Sequence, residues 1–557
     1  MTTLAAAVAH ELAAGGVRHA FGVVGGGNIL AAAGLTEHGV RYVAARHEGG
    51  AMAMADAYHR VSGSVAVCTT SHGAGITNTA TALAEAARHG SGIVVLCGDH
   101  PVSGLRRCDV DQTTFARTLG AEVVRVRDAG TARADAAEAL RLARALSRPV
   151  LLCLPNDLLN TEVPERLVFT VDGEGTSGAG AEAVRAVGAA PTADDVGAVL
   201  ELLSTARRPL VLAGLGAWRA DAGKPVADLA VRAGALLATT VMANGLFSGN
   251  RFALGICGGF AAPRAAELIK QADLVLAFGA DLDPFTLHGG RLLDPGAPVV
   301  RIDNVPRTRV APVSLEITAD ASVAASALTD AMNAANLPTS AWRDANEDLL
   351  PCATWADQAH PDASTVDRID PRTLTKALGD LLPAERTVVF DGGHFISWPS
   401  MYWSVPDPAA MVFMGGAFQA IGLGFAGAVG AASGRADRLT VVALGDGGSL
   451  MGLPELDTLI RSESPVLVVI YDDASYGFEA HLYTPRGADP RTASFADTDF
   501  AGVALALGAE VAVVRAVPDL DAVRDWQARG PRGVLVLDCK VVPDVIAPFL
   551  SDLIAGH

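Results

Sequence analysis

The amino-acid sequence predicts an α/β protein with three doubly wound domains, each built on a parallel sheet. Short apolar runs, such as those at 64–70, 208–214 and 439–444, alternate with longer stretches of helical periodicity. Strands buried on both faces show this near-continuous apolar pattern, and their alternation with helices is typical of parallel sheets. At 557 residues the chain is long enough for several domains.

The first block covers about residues 1–165 and opens with a helical stretch, AAAVAHELAAGG, at 5–16. The runs predicted as its strands include HAFGVV at 19–24, SVAVCTT at 64–70 and GIVVLCG at 92–98. Their β-branched content and short length favour strands over buried helices.

Two further blocks follow, at about 192–345 and 368–557, after a Gly/Ala-rich linker at 171–191 and a second linker at 347–368. The predicted strands of the second block are RPLVLAG, ADLVLAFGA and PVVRID. Those of the third block are RTVVFDGG, LTVVALGDGG, PVLVVIYDD and GVLVLDC. The same alternation therefore predicts the same architecture three times.

Composition and charge exclude several classes of function. The formal net charge of −18 argues against nucleic acid as a partner, because its phosphates would be repelled. The seven cysteines are widely spread and form no CxxC pair, which indicates neither a zinc site nor a disulfide framework and fits a reducing cytoplasm. The N-terminus lacks the basic start of a signal peptide. The apolar stretch 415–434 contains glycines and Gln419, which predicts a buried helix and no membrane span.

Acids follow two neighbouring predicted strands of the third block. LTVVAL ends just before Gly445, Asp446 and Gly447, and PVLVVIY ends before Asp472 and Asp473. A right-handed crossover brings both strand ends to one edge of a parallel sheet, where ligands of open α/β sheets bind. Carboxylates this close repel one another unless a cation lies between them, and Mg²⁺ takes oxygen ligands. The alternative is two unrelated turn acids, since Gly-Asp-Gly is a common turn sequence.

Four motifs, in order, carry a resemblance to a known family. They are RHEGGAMAMADAYHRVSG at 46–63, CTTSHGAGITNTATALAEA at 68–86, RPLVLAGLGA at 208–217, and Gly-Asp-Gly followed 27 positions later by a second acid. With them the chain resembles, over nearly its whole length, the thiamin diphosphate enzymes of the acetohydroxyacid synthase and pyruvate decarboxylase type. The resemblance implies a pyrimidine-binding domain at 1–165, a middle domain at 192–345 and a diphosphate- and metal-binding domain at 368–557.

The resemblance also implies a metal site. Mg²⁺ would bridge the cofactor's diphosphate to Asp446, Asp473 and the backbone carbonyl of Ser475. Many relatives have Asn-Asn where this chain has Asp472-Asp473, and a slip of one residue would exchange the two acids. The helix expected to begin near Leu450 would add its positive dipole end. The other predicted cofactor contacts are Gly26, Asn78, Gly393, His394, Gln419, Ile421, Gly447, Gly448, Tyr476 and Gly477.

Glu48 has the strongest catalytic prediction. In the family a glutamate at this place hydrogen-bonds the cofactor's pyrimidine ring and promotes loss of the thiazolium C2 proton. A carboxyl group buried against that ring would have the raised pKa that the role needs. From HEGG alone, an acid at a helix N-terminus is the simpler interpretation. Ile421 takes the place of the bulky residue that supports the bent cofactor, with an ordinary core isoleucine as the alternative; Gln419 stands where the family usually has Gly.

Further residues are predicted to lie over the reacting carbon. His72 could exchange protons with the substrate or only shape its turn, and Glu479 could handle protons after decarboxylation or be an exposed helix residue. Cys108 falls where many relatives have an active-site Gln, and a thiol cannot replace an amide as a donor. Gln112 could substitute from the same loop, and Gly26 leaves room without adding a proton donor.

FAD is not expected. Family members that hold FAD do so partly through an Arg-rich segment of the middle domain, and the equivalent here, GADLDPFTLHGG at 279–290, has no arginine. Arg264 and Arg301 remain nearby in the same block, so an FAD site that uses them stays open.

The predicted function is thiamin diphosphate- and Mg²⁺-dependent decarboxylation of a 2-keto acid. The acyl carbanion would pass to an acceptor carbonyl, as in acetolactate synthase, or leave as an aldehyde. The alternatives are an FAD-dependent 2-keto acid oxidase and a non-catalytic protein on the same fold. In the family, first and third domains from different chains form one site, so we expect a homodimer or homotetramer. We expect the protein to be located in the cytoplasm.

Overall fold

The computed structural model describes residues 2–163, 188–305, 313–352 and 354–555. Most of the predicted linker at 171–191 lies outside these residues. The described chain forms three parallel sheets of six strands each, as the sequence predicts. Helices cover both faces of every sheet.

The first domain contains a sheet of order β3-β2-β4-β5-β7-β6, beside a short antiparallel pair, β1 and β8. Its strands are β1 (Thr2–Thr3), β2 (His19–Gly22), β3 (Arg41–Ala44), β4 (Ala66–Thr70), β5 (Ile93–Asp99), β6 (Glu122–Arg125), β7 (Pro149–Pro155) and β8 (Glu162–Val163). Its helices are α1 (Leu4–Ala14), α2 (Ile29–Glu37), α3 (Glu48–Ser62), α4 (Ala74–Thr77), α5 (Ala80–His89), α6 (Gln112–Thr118) and α7 (Ala132–Leu146).

The second domain has the strand order β11-β10-β9-β12-β13-β14. Its strands are β9 (Pro209–Ala213), β10 (Leu236–Thr239), β11 (Ala253–Ile256), β12 (Leu274–Phe278), β13 (Val299–Asp303) and β14 (Leu315–Thr318). Its helices are α8 (Ala193–Thr205), α9 (Leu215–Arg219), α10 (Gly223–Ala233), α11 (Pro263–Lys270), α12 (Ala321–Ala334) and α13 (Trp342–Ala345).

The third domain has the order β16-β15-β17-β18-β20-β19. Its strands are β15 (Arg386–Phe390), β16 (Met411–Phe413), β17 (Leu439–Gly445), β18 (Val466–Asp472), β19 (Glu510–Val514) and β20 (Val534–Lys540). Its helices are α14 (Pro371–Leu381), α15 (Ser397–Tyr402), α16 (Gly424–Gly434), α17 (Asp446–Gly452), α18 (Pro454–Arg461), α19 (Gly477–Tyr483), α20 (Phe500–Leu507), α21 (Asp521–Ala528) and α22 (Pro548–Ala555). Short 3₁₀ turns cover Val241–Ala243, Glu347–Cys352, Trp355–Asp357, His394–Ile396, Pro408–Ala410, Thr484–Arg486, Pro490–Thr492 and Val517–Leu520.

One hydrophobic core joins the first and third domains of the same chain. Helix α3 lies directly against α16, and both contribute fully buried residues to this core. The contact is close because α16 is rich in small residues: a Cβ at Gly430 would lie 2.1 Å from the Met54 carbonyl oxygen. The third domain is therefore held rigidly against the helix that begins at Glu48.

Two local predictions need correction. The apolar stretch 415–434 is helical only from Gly424. Residues 415–423 form turns and a loop. The chain after β17 enters helix α17 at Asp446 itself. The turn that Gly-Asp-Gly suggests and the helix start expected near Leu450 are therefore both wrong. Among the described residues, no helix combines the length and apolar character needed to cross a membrane.

Candidate active site

Asp446 and Asp473 lie side by side at the carboxyl edge of the third sheet. Strands β17 and β18 pair in parallel with Gly445 opposite Tyr471, so the residues that follow them meet at one edge. The amide of Ser475 donates to Asp446 Oδ2 at 3.2 Å and to Asp473 Oδ1 at 3.1 Å. Both carboxylates thus converge on a single backbone N–H.

These carboxyl groups have strongly perturbed acidities. Burial raises the pKa of Asp446 far above its usual value, and repulsion from Asp473 and Asp472 adds to this. Burial also raises the pKa of Asp473, and Asp472 adds repulsion, while hydrogen bonds from Ser475 oppose the shift. A divalent cation between the two groups would remove the repulsion and compensate for the lost solvation.

Asp472 and Asp473 have different surroundings. Asp472 is fully buried, and its Oδ2 accepts a hydrogen bond of 2.5 Å from the Lys540 ammonium, which also lies 3.0 Å from Asp538. Asp473 lines the cavity beside Asp446. The geometry therefore favours Asp473 over Asp472 as a metal ligand.

A cavity of about 2330 Å³ opens beside these acids, where the second and third sheets end. It brings together every site residue predicted in the third domain. They are Gly393, His394, Gln419, Ile421, Asp446, Gly447, Gly448, Asp473, Ser475, Tyr476, Gly477 and Glu479. We call these residues the diphosphate half-site. Its oxygen ligands, glycine-lined wall and α17 N-terminus fit a diphosphate held through a hard cation.

Asp391 supports this half-site, and the sequence prediction missed it. It follows β15 and is fully buried, and its carboxylate accepts from the amides of Gly422 and Leu423. Burial raises the pKa of Asp391 to about 6 although backbone donors oppose the shift. Asp391 thereby fixes the loop that carries Ile421. An acid directly after the apolar run TVVF was the available signal.

The loop before Ile421 is also held from the first domain. Glu85 is fully buried and accepts from the amides of Ala417 and Phe418 at 3.1 and 2.6 Å. Arg60 donates to Glu85 at 2.9 Å and to the Phe413 carbonyl at 2.7 Å.

Gln419, in this loop, has a φ of +57°. Glycine adopts that region without cost, which explains why the family usually has Gly there.

His394 forms part of the cavity wall as a neutral imidazole. Its Nε2 accepts from the Ala547 amide at 2.9 Å, so Nδ1 carries the ring proton. Burial, and then the nearby His481, lower the pKa of His394 to about 3. His394 can therefore donate one hydrogen bond but carries no charge near neutral pH.

Glu48 begins helix α3 in the first domain. Its Oε2 accepts from Asn78 Nδ2 at 2.9 Å, so the two predicted residues meet. Glu455 of the third domain accepts from the amides of Arg46 and His47 at 3.1 and 2.8 Å, just before Glu48. The sequence prediction missed Glu455, whose partners lie about 408 residues away.

His72 lies in the turn after β4, close to the loop of Cys108, and Gly75, three residues later, lies close to Glu48. A Cβ at Gly75 would be 3.5 Å from Glu48 Oε1, and His72 Nε2 lies 3.9 Å from Asp109 Oδ1. Cys108 is exposed on that loop. We call Glu48, Asn78 and His72 the pyrimidine half-site.

Gln112 and Gly26 are two further residues predicted for the site in this domain. Gln112 is buried, and its Nε2 donates to the Gly98 carbonyl and to Asp99 Oδ1, both at 3.1 Å. Its amide is thus already paired inside the domain, which favours a structural role over contact with substrate. At Gly26 a Cβ would meet nothing within 4 Å, so the glycine leaves open space there, as expected.

The two half-sites of one chain do not share a cavity. Among the described residues that line the large cavity, Glu48, Asn78 and His72 are absent. Both half-sites instead have exposed apolar side chains beside them. These are Val24, Ile29, Leu30, Val102 and Leu105 in the first domain, and Phe418, Leu450, Met451, Tyr476 and Tyr483 in the third. Exposed apolar side chains mark an interaction surface where they form a contiguous patch.

Comparison with known proteins matches three family models along the chain. These are the thiamine pyrophosphate enzyme N-terminal TPP binding domain over residues 2–119, the central domain over 196–328 and the C-terminal TPP binding domain over 391–539. A sulfoacetaldehyde acetyltransferase of Alcaligenes xylosoxydans is 27% identical, covering 91% of this chain and 87% of the relative. An acetolactate synthase of Bacillus subtilis is 26% identical, covering 94% and 91%. A probable 2-ketoarginine decarboxylase of Pseudomonas aeruginosa is 27% identical, covering 97% and 94%.

Proposed function

We propose that this chain, which belongs to the thiamine pyrophosphate enzymes, decarboxylates a 2-keto acid with the help of Mg²⁺. The observation that carries the proposal is the pair of adjacent carboxylates at the edge of the large cavity, buried Asp446 and half-buried Asp473. Bound thiamin diphosphate would supply the electron sink that loss of CO₂ from a 2-keto acid requires. The acyl group then passes to an acceptor carbonyl or leaves as an aldehyde.

The residues of the diphosphate half-site hold and orient in this proposal. Asp446, Asp473 and the Ser475 carbonyl would hold Mg²⁺, and the α17 N-terminus would favour the negative charge of the diphosphate. Asp391 and Glu85 keep the loop of Gln419 and Ile421 in place through its backbone amides. Pre-organised groups of this kind spend no binding energy on rearrangement.

The residues of the pyrimidine half-site move protons. Glu48 would exchange a proton with the pyrimidine ring, and Asn78 donates a hydrogen bond that orients its carboxylate. His72 and Glu479 are the proposed proton donors and acceptors for substrate. The names of the relatives include both acyl transfer and decarboxylation, so the product must be measured.

A homodimer, or a tetramer of two such dimers, completes the site. Within one chain the half-sites lie apart, and each has exposed apolar side chains beside it. Docking the first domain of one chain on the third domain of another would bury both patches and bring Glu48 to the diphosphate cavity. The three sheets lie inside the predicted domain limits 1–165, 192–345 and 368–557, which supports those limits.

The proposed location is the cytoplasm. Six cysteines in the described part of the chain are free thiols, as is usual in a reducing compartment.

The test is a screen of 2-keto acids with thiamin diphosphate and Mg²⁺ in which CO₂ and the organic product are followed together. We expect CO₂ release that depends on both additions, with either a carboligation product or an aldehyde in equal amount. The Asp446→Ala chain should be inactive, and the surface variant Asp489→Ala should match wild type. If no 2-keto acid releases CO₂ while cofactor binding is normal, the proposed reaction is wrong.

A further inference from the structure

A second cluster of possible metal ligands lies beside the pyrimidine half-site. His72, Cys108 and Asp109 each offer one ligand atom, and these atoms lie within 4.8 Å of one another. Asp109 Oδ1 is 3.9 Å from His72 Nε2 and 4.0 Å from Cys108 Sγ. We propose that these three side chains bind a transition-metal ion of the zinc class, separately from Mg²⁺. In the metal-bound chain His72 is a ligand and does not exchange protons with substrate, which leaves that role to Glu479.

The ligand types select the class of metal. A thiolate, an imidazole and a carboxylate suit Zn²⁺ or Co²⁺, whereas Mg²⁺ prefers oxygen ligands alone. Tetrahedral Zn²⁺ with bonds of about 2.0–2.3 Å keeps its ligand atoms roughly 3.3–3.7 Å apart. The two distances from Asp109 Oδ1, 3.9 and 4.0 Å, exceed this by less than about 1 Å, and all three ligand atoms lie within 4.8 Å of one another. Small side-chain movements would therefore close three ligands around an ion and leave a fourth position for water.

The backbone holds the two ligand loops together. Gly73, next to His72, has a φ of +62°, and a Cβ there would lie 2.4 Å from the Cys108 carbonyl oxygen. Only glycine permits this approach. The spacing between His72 and Cys108 is thus set by main-chain contact and does not depend on long flexible side chains.

Asp109 already has one cationic partner. Arg106 donates to Oδ2 through its backbone amide and Nε, at 2.8 and 2.9 Å, and to Oδ1 through Nη2 at 3.0 Å. Oδ1 has a second lone pair, which faces His72 and Cys108. Arg106 therefore fixes the orientation of the carboxylate while one oxygen position remains for the ion.

A buried oxygen without a partner gives independent support. Asn156 lies 3.1 Å from His72 Nδ1 through its Nδ2, and its Oδ1 is buried with no hydrogen-bond partner. Turning the amide by half a rotation would let Oδ1 accept from a protonated Nδ1. That tautomer directs the Nε2 lone pair toward Cys108 and Asp109, and metal-bound histidines usually have such an acceptor on the other nitrogen.

The test uses the full chain with Mg²⁺ and thiamin diphosphate, titrated with Co²⁺ as a spectroscopic probe. We expect one equivalent to produce a thiolate-to-cobalt charge-transfer band and the visible bands of tetrahedral Co²⁺. Cys108→Ser should lose the charge-transfer band and bind at least about 10- to 100-fold more weakly. Asp111→Asn, which removes one charge from the same loop outside the cluster, should behave as wild type.

Asn156→Ala provides the second measurement, because it leaves all three ligands in place. Co²⁺ affinity should fall by about 10- to 100-fold, with unchanged circular dichroism and thermal melting. Absence of the band in wild type, or its persistence in Cys108→Ser, would overturn the proposal. Neither readout depends on turnover, so failure of the proposed decarboxylation and failure of this site are distinguishable.

Discussion

At the residue scale, the adjacent acids Asp472 and Asp473 have different partners. Asp472 is neutralised by Lys540 inside the domain, whereas Asp446 and Asp473 face the cavity as an unneutralised pair. Two like charges this close to each other, one of them buried, are costly unless a cation lies between them. The first three predictions concern these acids and Glu48.

Asp446→Ala should abolish tight binding of thiamin diphosphate in the presence of Mg²⁺. The bridging Mg²⁺ would then lack one of its two carboxylate ligands. Asp473 alone would hold the ion, so the diphosphate would be bound only weakly. Isothermal titration calorimetry measures the affinity, with Asp489→Ala as the exposed control. Unchanged affinity in Asp446→Ala would contradict the metal site.

Mg²⁺ affinity should rise with pH between about 6 and 8, the raised pKa values of Asp473 and Asp446. Because both pKa values are raised, the metal-free groups hold protons below this window, and Mg²⁺ must displace them. Without metal, the same ionisation should lower the free energy of unfolding as pH rises through the window. Calorimetry in buffers of different ionisation enthalpy counts the released protons, and Asp446→Asn should release fewer. An affinity independent of pH would refute this.

Glu48→Gln should still bind the cofactor but slow the exchange of its C2 proton by about 100-fold or more, the usual range for loss of an acid–base group. The substitution keeps the size of the side chain and its contact with Asn78 while removing the titratable group. Proton exchange followed by NMR measures the rate. Wild-type exchange in this variant would remove Glu48 from the mechanism.

At the element scale, helices α3 and α16 determine how the first and third domains meet. The two helices approach closely at Gly430, and the Glu85 and Glu455 carboxylates accept backbone amides across the same boundary. Each carboxylate thus connects one domain to the loop or helix start that carries a predicted cofactor residue. The boundary should therefore be sensitive to small changes in volume.

Gly430→Ala should destabilise the protein by about 1–3 kcal/mol, the usual cost of overpacking. Its new Cβ would lie 2.1 Å from the Met54 carbonyl oxygen, and backbone cannot yield as a side chain does. Gly197→Ala in α8 is the matched control, since a Cβ there meets nothing within 4 Å. That control should be neutral or more stable by up to about 1 kcal/mol. Urea unfolding compares the two, and equal stabilities would contradict the packing argument.

At the scale of the whole molecule, one chain contains both half-sites but does not join them. A two-fold dimer would place two complete sites at its interface, each made from two chains. Activity would then depend on which lesions meet in the same site.

Mixed chains test this arrangement. When Glu48→Gln chains and Asp446→Ala chains exchange freely, half of the dimers are mixed, and in each of these one site carries both lesions and the other carries none. About a quarter of wild-type activity should return, although each variant alone is inactive. Native mass spectrometry confirms that chains have exchanged. Zero activity after confirmed exchange would exclude sites shared between chains.

The sequence by itself determined the three α/β domains, most of their central strands and the meeting of Asp446 with Asp473 at one sheet edge. Central strands are buried on both faces, so their apolar runs are legible locally, whereas short edge strands such as β3 and β16 are not. Parallel pairing then brings the ends of β17 and β18 to one edge wherever the rest of the chain lies. This is why Asp446 and Asp473 could be predicted together.

Only the tertiary structure decided which way individual side chains face and which distant groups they meet. Successive residues of a strand point to opposite sides, so the choice between Asp472 and Asp473 depended on Lys540, a residue of another strand. Gln112 is turned inward by Asp99, and Glu455 meets the start of α3 through a domain contact. The approach of His72 to Cys108 likewise depends on the contact at Gly73. Such contacts join residues far apart in sequence, and no local pattern specifies them.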